Sequence, residues 1–254
     1  MTGDAEGDGM SRIRTGPEID FASVQSRLAA ARARGQRALA EPEAKAILRL
    51  SGIPTPRGGV ATSAAEAGAL AARLTPPFAL KIVSPDILHK SDIGGVELHV
   101  GGADVEAAYD RLSRRVRARL PGEKLEGILI EEMVSGGVDI IGSVTHEPRF
   151  GPVLMVGLGG LWVEFLRDAS FRLVPVDRAD VVEMLDELKG AALLGGARGG
   201  APVDRDALVD ALLALCELAR AAGEELQEVE INPLSASPRG VCAIDAVILL
   251  RSGT

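Results

Sequence analysis

Short apolar runs broken by glycine and proline fill the second half of the chain, and this pattern constrains the fold more than any other feature. The runs are Gly127–Met133, Val138–Val144 and Val153–Val156. Such runs between turn residues predict β-strands. Further strands are predicted at Phe171–Val176, Glu225–Ile231 and Val241–Val247. Helices are predicted near 178–188 and 204–222, so we expect a mostly antiparallel sheet with helices packed on it.

The first half of the chain mixes helices and strands. The predicted helices are Phe21–Arg34, Glu41–Ser51, Ser63–Arg73 and Asp104–Leu120. The predicted strands are Thr55–Ala61, Phe78–Val83 and Gly94–Val100. Pro121 and Gly122 mark a turn between the two patterns. We therefore predict an α+β protein with an N-terminal lobe at 19–122 and a C-terminal lobe at 123–251, preceded by a disordered leader at 1–18.

The composition argues against several classes of function. Lys and Arg total 28 against 36 for Asp and Glu, and the resulting formal charge of -8 repels polyanions. Aromatic residues make up 3% of the chain, too few for a surface on which bases stack. No apolar stretch approaches the length of a membrane span, and Cys216 and Cys242 lack metal-ligand spacing. We therefore expect a cytoplasmic protein that binds neither nucleic acid nor membrane.

A lysine lies inside an apolar strand at the start of the segment Lys81–Gly95. Burying an ammonium group without a counter-charge is costly, and a nucleotide phosphate would supply that charge. His89 and Lys90 follow in the same segment, and its glycines leave backbone N–H groups accessible to phosphate. His89 is a candidate phosphoryl acceptor. An edge-strand lysine with a polar hairpin, and a histidine that only forms hydrogen bonds, are the alternatives.

Paired carboxylates end a second apolar strand, at Glu131 and Glu132. A glycine turn follows, and the next strand carries Asp139. An adenine pocket can use a strand end in this way, with the backbone reading the base edge and a carboxylate holding the ribose hydroxyls. An ordinary β-hairpin with acidic residues at its mouth is the alternative.

Two glycine-rich segments carry arginines. Gly157–Gly160 precedes Arg167 and Arg172, which suits a phosphate-facing loop. Arg198 lies among glycines and has the forked guanidinium that binds phosphate. Tight strand packing and a flexible loop are the respective alternatives.

Oxygen-bearing side chains alternate near the end of the chain. Glu228, Glu230 and Asn232 share one face of a predicted strand, and Asp245 returns on the next strand. Carboxylate and amide oxygens that project together suit Mg²⁺. A polar outer face on an edge hairpin is the alternative.

The order of these segments is more specific than any one of them. The series runs from the lysine strand through His-Lys-Ser-Asp-x-Gly-Gly-Val, Glu-Glu-Met, Phe-Gly-Pro-Val with Gly-Leu-Gly-Gly, and Gly-x-Arg-Gly to Glu-Ile-Asn-Pro-Leu with a later Asp. Over about residues 20 to 250 it resembles the ATP-grasp domain of ADP-forming acetate–CoA ligases, which in some members is a separate β subunit. Succinyl-CoA synthetase β subunits are similar at a greater distance.

The resemblance implies an ATP-grasp fold with a nucleotide cleft between two lobes. It implies an acid–thiol ligase that interconverts acid, CoA and ATP with acyl-CoA, ADP and phosphate through phosphohistidines. Lys81 would contact the nucleotide phosphates. His89 would carry the phosphoryl group between the nucleotide and a histidine of a separate CoA-binding α subunit, which would also bring the acid and CoA.

The resemblance also implies roles for the other candidate residues. Glu131, Glu132 and Val134 match the adenine-side hinge, with Val134 contributing its backbone. Asp139 falls near the ribose, where the family usually has glutamate. The implied Mg²⁺ ligands are Asn232 and Asp245, with Glu230 nearby.

Two other functions are compatible with the same pattern. One is an ATP-grasp ligase that joins an acyl phosphate to an amine and needs no α subunit. The other is a non-catalytic module that senses nucleotides. The intact Lys81, His89, Asn232 and Asp245 favour the acyl-CoA synthetase.

Overall fold

Two β-sheets with helices packed on them make up the fold, which confirms the predicted α+β class. The computed structural model describes residues 20–84, 87, 90–120, 122, 124–159 and 168–251. The α-helices of this part are α1 (Phe21–Ala33), α2 (Glu41–Leu50), α3 (Ala64–Ala71), α4 (Val105–Arg119), α5 (Arg178–Glu187) and α6 (Arg205–Ala222). The predicted leader at 1–18 lies outside the described residues.

Most of the β-strands lie at the predicted positions. The strands are β1 (Ala38–Leu39), β2 (Gly58–Ala61), β3 (Phe78–Val83), β4 (Val96–Val100), β5 (Gly127–Glu132), β6 (Val138–Glu147), β7 (Gly151–Leu158), β8 (Ala169–Leu173), β9 (Leu226–Ser237), β10 (Gly240–Ala243) and β11 (Ala246–Leu250). Strand β1 has no predicted counterpart, and β8 begins before the predicted Phe171. The predicted closing strand at Val241–Val247 is two strands, because Ile244 and Asp245 leave the ladder between β10 and β11. This break places Asp245 at the end of a strand rather than within it.

The larger sheet has seven strands in the order β1-β11-β9-β6-β7-β8, with β10 added on β9. All of its pairs are antiparallel. Helices α1, α2, α5 and α6 pack into its core through side chains that are almost wholly buried, such as Leu28, Ile47, Met184 and Leu212. We call this body the large lobe.

The smaller sheet has four antiparallel strands in the order β2-β5-β3-β4. Its apolar face packs on α3 and α4, with Phe78, Leu80 and Ile82 against Leu112 and Val116. Every residue of β3 is buried, Lys81 included. We call this body the small lobe.

The two sheets do not divide at residue 122 as the sequence predicted. Strand β5 lies after that point but pairs with β2 and β3 in the small lobe. Residues before it, from α1 to Ile53, pack in the large-lobe core, and β1 pairs with β11. The turn at Gly122 therefore lies within the small lobe, between α4 and β5. Among the described residues, no helix has the length and apolar character needed to cross a membrane.

Helix α2 runs from the large-lobe core to the boundary between the lobes. It begins at Glu41, with Pro42 in its first turn, where a fixed φ favours helix initiation. Ala44, Ile47 and Leu48 bury one side of it in the large-lobe core. Glu41 and Lys45 are four residues apart, so they share a helix face, and that face is turned towards β3 and β5.

Candidate functional site

Charged side chains of opposite sign meet where the two lobes join. The large lobe contributes Glu41 and Lys45 from α2 and Asp245 from the β10–β11 break. The small lobe contributes Lys81 from β3, Lys90 from the turn after β3, and Glu131 from β5. We call these six side chains the junction cluster. Its three ammonium groups and three carboxylates balance in charge, which is the condition under which buried ions are tolerated.

Glu41 is the centre of the junction cluster. Its Oε1 lies 2.6 Å from Lys81 Nζ and 2.8 Å from Lys45 Nζ, and its Oε2 accepts a short hydrogen bond from Lys90 Nζ. The residue is only 4% exposed. One carboxylate of the large lobe thus binds two lysines of the small lobe and one of its own helix.

Lys81 has an internal counter-charge, which corrects the reasoning that first singled it out. Its Nζ donates to Glu41 Oε1 at 2.6 Å and to Ile244 O at 2.7 Å, and Glu131 Oε2 is 3.4 Å away. Two of the three donors of the ammonium group thus form hydrogen bonds inside the protein, and Glu131 adds an ion pair. A phosphate is therefore not required to balance the charge of Lys81. Its contact with a nucleotide stays a prediction.

Lys45 ties Glu131 to the large lobe. Its Nζ donates to both carboxylate oxygens of Glu131, at 2.7 and 2.6 Å, and the lysine is 1% exposed. The side chain of Glu131, predicted beside the adenine, is thus held in an inter-lobe ion pair. Its backbone, paired with Gly58 and Ala79, is part of the small sheet.

Lys90 joins the small lobe to the predicted metal ligands. Its Nζ lies 3.3 and 3.4 Å from the two carboxylate oxygens of Asp245. A tight turn positions it: Gly95 N donates to Lys90 O at 2.7 Å, and Gly94 N donates to Ser91 O at 3.0 Å. The two glycine N–H groups expected to face phosphate are therefore used inside this turn.

The predicted Mg²⁺ ligands line one acidic cavity beside the junction cluster. The cavity holds about 290 Å³ and is bordered by Glu228, Glu230, Asn232 and Asp245, with Val247 among its apolar walls. Asn232 Nδ2 donates to Glu230 Oε1 at 3.3 Å, which turns the amide oxygen away from that carboxylate. The donor set of carboxylate and amide oxygens fits a hard divalent cation. Within the described residues, no three His, Cys, Asp or Glu side chains converge closely enough to form a preformed metal cage.

A second, smaller cavity continues from the first along β11. Its walls include Glu41, Lys90, Ala246 and Val247, and the last two also border the acidic cavity. The ammonium of Lys90 and the acidic residues of β9 therefore border adjoining space at the lobe junction.

The junction cluster perturbs the ionisation of its members. Burial alone would raise the pKa of Glu41, but the ammonium groups of Lys81, Lys45 and Lys90 outweigh it and lower that pKa to about 2. Burial would lower the pKa of Lys81, but Glu41, Asp245 and Glu131 raise it above its ordinary value. In the acidic cavity, burial and the neighbouring Glu230 raise the pKa of Glu228. The structure thus keeps Glu41 and Lys81 charged at neutral pH.

The other residues predicted to contact adenosine lie at the end of β5, just after it, or near the start of β6. Glu132 Oε1 accepts from Thr75 N at 2.9 Å and pairs with Arg57 at 3.3 Å, so its carboxylate faces away from the junction cluster. Val134 is exposed just after β5. Asp139 is exposed near the start of β6, where the surrounding protein still desolvates its carboxylate and raises its pKa.

The predicted histidine and arginines of the glycine-rich segments fall into two groups, those within the described residues and those outside them. His89 and residues 160–167, which include Arg167, lie outside the described residues. The backbone of Arg198 is in a short 3₁₀ turn, and its side chain is outside the description. Arg172, the second arginine of its segment, binds Glu187 on α5 at 2.5 Å. It therefore faces the helix layer of the large lobe.

The sequence did not single out Glu41 or Lys45, and it did not predict the ion pairs of Lys90 with Glu41 and Asp245. A signal was present, because Glu41 and Lys45 lie on the same side of α2 as the apolar Ala44 and Leu48. Charged residues four apart within an apolar stripe indicate a buried ion pair. Their partner Glu131 is far away in sequence, so the pattern alone does not reveal it.

Comparisons with known proteins identify the family of this fold. An ATP-grasp domain model matches residues 30–250. The β subunit of ADP-forming acetate–CoA ligase I of Pyrococcus furiosus is 40% identical over 215 residues, which cover 84% of this chain and 92% of that subunit. By contrast, the chain spans 30% of acetate–CoA ligase I of Archaeoglobus fulgidus, at 39% identity and 80% coverage of this chain.

Solved structures of an acetyl-coenzyme A synthetase from Ca. Korarchaeum cryptofilum are also similar. A complex with coenzyme A, Ca-AMPCP and HgCl+ has a TM-score of 0.86 at 38% identity, and the match covers 89% of this chain and 99% of that one. A complex with coenzyme A and Mg-AMPPCP, described as having its phosphohistidine segment pointing towards the nucleotide-binding site, has a TM-score of 0.78 at 35% identity. That match covers 90% of this chain and 100% of the other. The chain therefore belongs to the ATP-grasp family, in the group that contains the β subunits of ADP-forming acetate–CoA ligases.

Proposed function

We propose that the chain is the nucleotide-binding subunit of an ADP-forming acyl-CoA synthetase. The reaction interconverts acid, CoA and ATP with acyl-CoA, ADP and phosphate. The observation that carries the proposal is the meeting of Lys81 and Lys90 with Asp245 at the lobe junction, where Lys90 Nζ is 3.3 Å from the carboxylate. Basic groups and metal-ligand candidates at one place are what phosphoryl transfer requires.

The residues of the junction can offset the charge that develops during phosphoryl transfer. Lys81 and Lys90 supply positive charge in a largely buried setting, where electrostatic interactions are stronger than in water. We assign phosphate contact to these lysines and to Arg198, and contact with adenosine to the backbone near Glu131, Glu132 and Val134. Asp139 is assigned to the ribose.

The acidic cavity fits a divalent cation, and we assign Mg²⁺ to Asn232 and Asp245, with Glu230 beside them. When bound, Mg²⁺ would neutralise phosphate charge. Asp245 has a second task, since it also binds Lys90. The residue thus connects the cation site with the small lobe.

We assign His89 as the phosphoryl acceptor, on the family resemblance of the segment that carries it. The phosphoryl group would leave a histidine of the partner, join the His89 imidazole, and then pass to ADP to form ATP. The partner is a separate CoA-binding chain that also brings the acid, in accord with the P. furiosus relative being named a β subunit.

Reconstitution with a cognate CoA-binding chain tests the proposal. ADP- and phosphate-dependent cleavage of acetyl-CoA should appear in the mixture and not with either chain alone. His89→Ala should abolish it, because no other side chain is proposed to accept the phosphoryl group. His146→Ala is the matched control, since His146 lies on β6 at the end remote from Asp139, and its activity should equal that of the wild type. Full turnover by His89→Ala would contradict the assigned role.

A further inference from the structure

The junction cluster has a consequence for how nucleotide is bound and released. Glu41 Oε1 lies 2.6 Å from Lys81 Nζ, and its Oε2 binds Lys90 Nζ. These are the two small-lobe ammonium groups assigned to phosphate above. The same carboxylate therefore pairs with both of the small-lobe lysines that are assigned to phosphate.

The ammonium group of Lys81 is already neutralised inside the protein. Glu41 Oε1, Ile244 O and Glu131 Oε2 lie at 2.6, 2.7 and 3.4 Å from Nζ. A phosphate that binds this ammonium group therefore competes with these oxygens, two of which accept hydrogen bonds from it. Ile244 O is fixed by the backbone, whose N–H donates to Pro233 O at 2.9 Å, and Glu131 is held on both oxygens by Lys45.

Glu41 is the partner that can be exchanged. It is the first residue of α2. It also pairs with Lys45 of the large lobe, whose Nζ lies 2.8 Å from Glu41 Oε1. This partner remains available if both small-lobe lysines turn away. A carboxylate that loses one ammonium group and keeps another avoids becoming an unpaired buried charge. Lys45 therefore remains an ion-pair partner for Glu41 when phosphate binds the small-lobe lysines.

We propose that Glu41 is an internal competitor for the nucleotide phosphates: it neutralises Lys81 and Lys90 in the free chain and is replaced on at least one of them by phosphate. Binding is then an exchange of one anion for another. Glu41 weakens the affinity for nucleotide, which in a reversible reaction allows both ATP and ADP to leave. This inference rests on the proposed function, since it takes the two lysines as phosphate ligands.

The inference predicts that removing the charge of Glu41 tightens nucleotide binding. In Glu41→Gln the cluster gains a net positive charge at nearly unchanged side-chain volume. The dissociation constant for ADP, measured by calorimetry with the full chain, should fall about threefold or more. Adenosine, which has no phosphate, should bind as it does to the wild type. Structural damage would weaken the binding of both ligands.

Two variants control for charge and for stability. Glu43→Gln removes the same charge from the same helix, but the Glu43 side chain is 41% exposed and pairs with Arg34 at 2.7 Å, so ADP binding should stay within about twofold of the wild type. Glu41→Gln combined with Lys45→Met restores a neutral cluster and frees Glu131 to pair with Lys81. Its ADP affinity should return towards the wild-type value, and affinity as tight as that of Glu41→Gln would contradict the charge argument.

A structure of the wild-type chain with ADP tests the inference without any variant. Glu41 should have parted from Lys81 or Lys90, with a phosphate oxygen in its place. Glu41 still bound to both lysines, or an ADP affinity of Glu41→Gln equal to or below that of the wild type, would overturn the inference and leave the proposed function standing. A wild-type chain that binds no ADP or ATP would overturn both.

Discussion

Glu41 stays ionised although it is almost fully buried, because Lys81, Lys45 and Lys90 surround it. Burial works against the charged form, yet the three ammonium groups bring its pKa to about 2 from an ordinary 4.5. A carboxyl group whose pKa is lower in the folded state stabilises that state above its unfolded pKa. This contribution is lost as the pH falls from about 4.5 towards 2.

The loss should appear as an acid-dependent difference between the wild type and Glu41→Gln. The free energy of unfolding, measured with urea from pH 7 to 3, should favour the wild type at neutral pH. That advantage should shrink below about pH 4.5, by about 2 kcal/mol down to pH 3. Glu43→Gln removes an exposed pair and should cost under about 1 kcal/mol at neutral pH. A wild-type advantage that is constant from pH 6 to 3 would contradict the argument.

Where the sequence correctly predicted that side chains lie together, the signal was their alternation along one strand. Glu230 and Asn232 alternate along β9, and the structure places both on one cavity with Asp245. The argument about Lys81 was right that a buried ammonium needs a counter-charge. It did not identify Glu41 as an internal counter-charge, because Glu41 comes from a helix whose position depends on packing in the other lobe. Periodicity along a single strand carries no information about such a partner.

At the scale of elements, the close contact between β2 and β5 should be sensitive to a single methyl group. Gly58 pairs with Glu131, and a Cβ atom at Gly58 would lie 2.2 Å from Ile130 O. This neighbour is backbone of a central strand and cannot move aside without disturbing β5. The strand β5 also carries Glu131, so strain here reaches the junction cluster.

Gly58→Ala should therefore destabilise the small lobe. We expect a loss of about 2 kcal/mol or more in the free energy of unfolding, measured by urea denaturation. Gly102→Ala is the matched control, since a Cβ atom at Gly102 meets nothing within 4 Å, and it should change stability by less than about 0.5 kcal/mol. Equal free energies of unfolding for the two variants would contradict the predicted strain between β2 and β5.

Most elements were predictable because their signals are local, whereas the assignment of elements to lobes was not. The apolar run of β3 and the cap of α6 by Asp204, whose side chain accepts from Ala207 N at 3.0 Å, can be read within a few residues. The pairing of β5 with β2 and β3 is long-range, and so is that of the two-residue β1 with β11. A boundary drawn at a turn therefore misplaced α1, α2 and β5.

At the scale of the whole molecule, the chain crosses the lobe junction more than once. The described residues run from α1 and α2 in the large lobe through β2 to β5 in the small lobe and return to the large lobe for β6 to β11. Each lobe has its own apolar core. Between the lobes lie a small apolar cluster of Ala40, Val83 and Leu129 and the ion pairs of the junction cluster. A ligand bound at this junction would touch both bodies.

Hydrogen exchange with bound Mg-ADP should therefore report protection in both sheets at once. We expect slower amide exchange in β3 of the small lobe and in β9 and β11 of the large lobe, since these strands carry Lys81, Asn232 and the segment after Asp245. A bound ligand stabilises only those conformations in which its binding residues stay assembled, so amide exchange that requires either sheet to open becomes slower. Helix α4 packs on the opposite face of the small sheet from the junction and serves as an internal control with little change.

Adenosine should protect neither β9 nor β11, because it lacks the phosphates that would reach Asp245. Protection by Mg-ADP confined to one sheet would mean that nucleotide does not bridge the lobes, and the junction cluster would then be a structural tie alone.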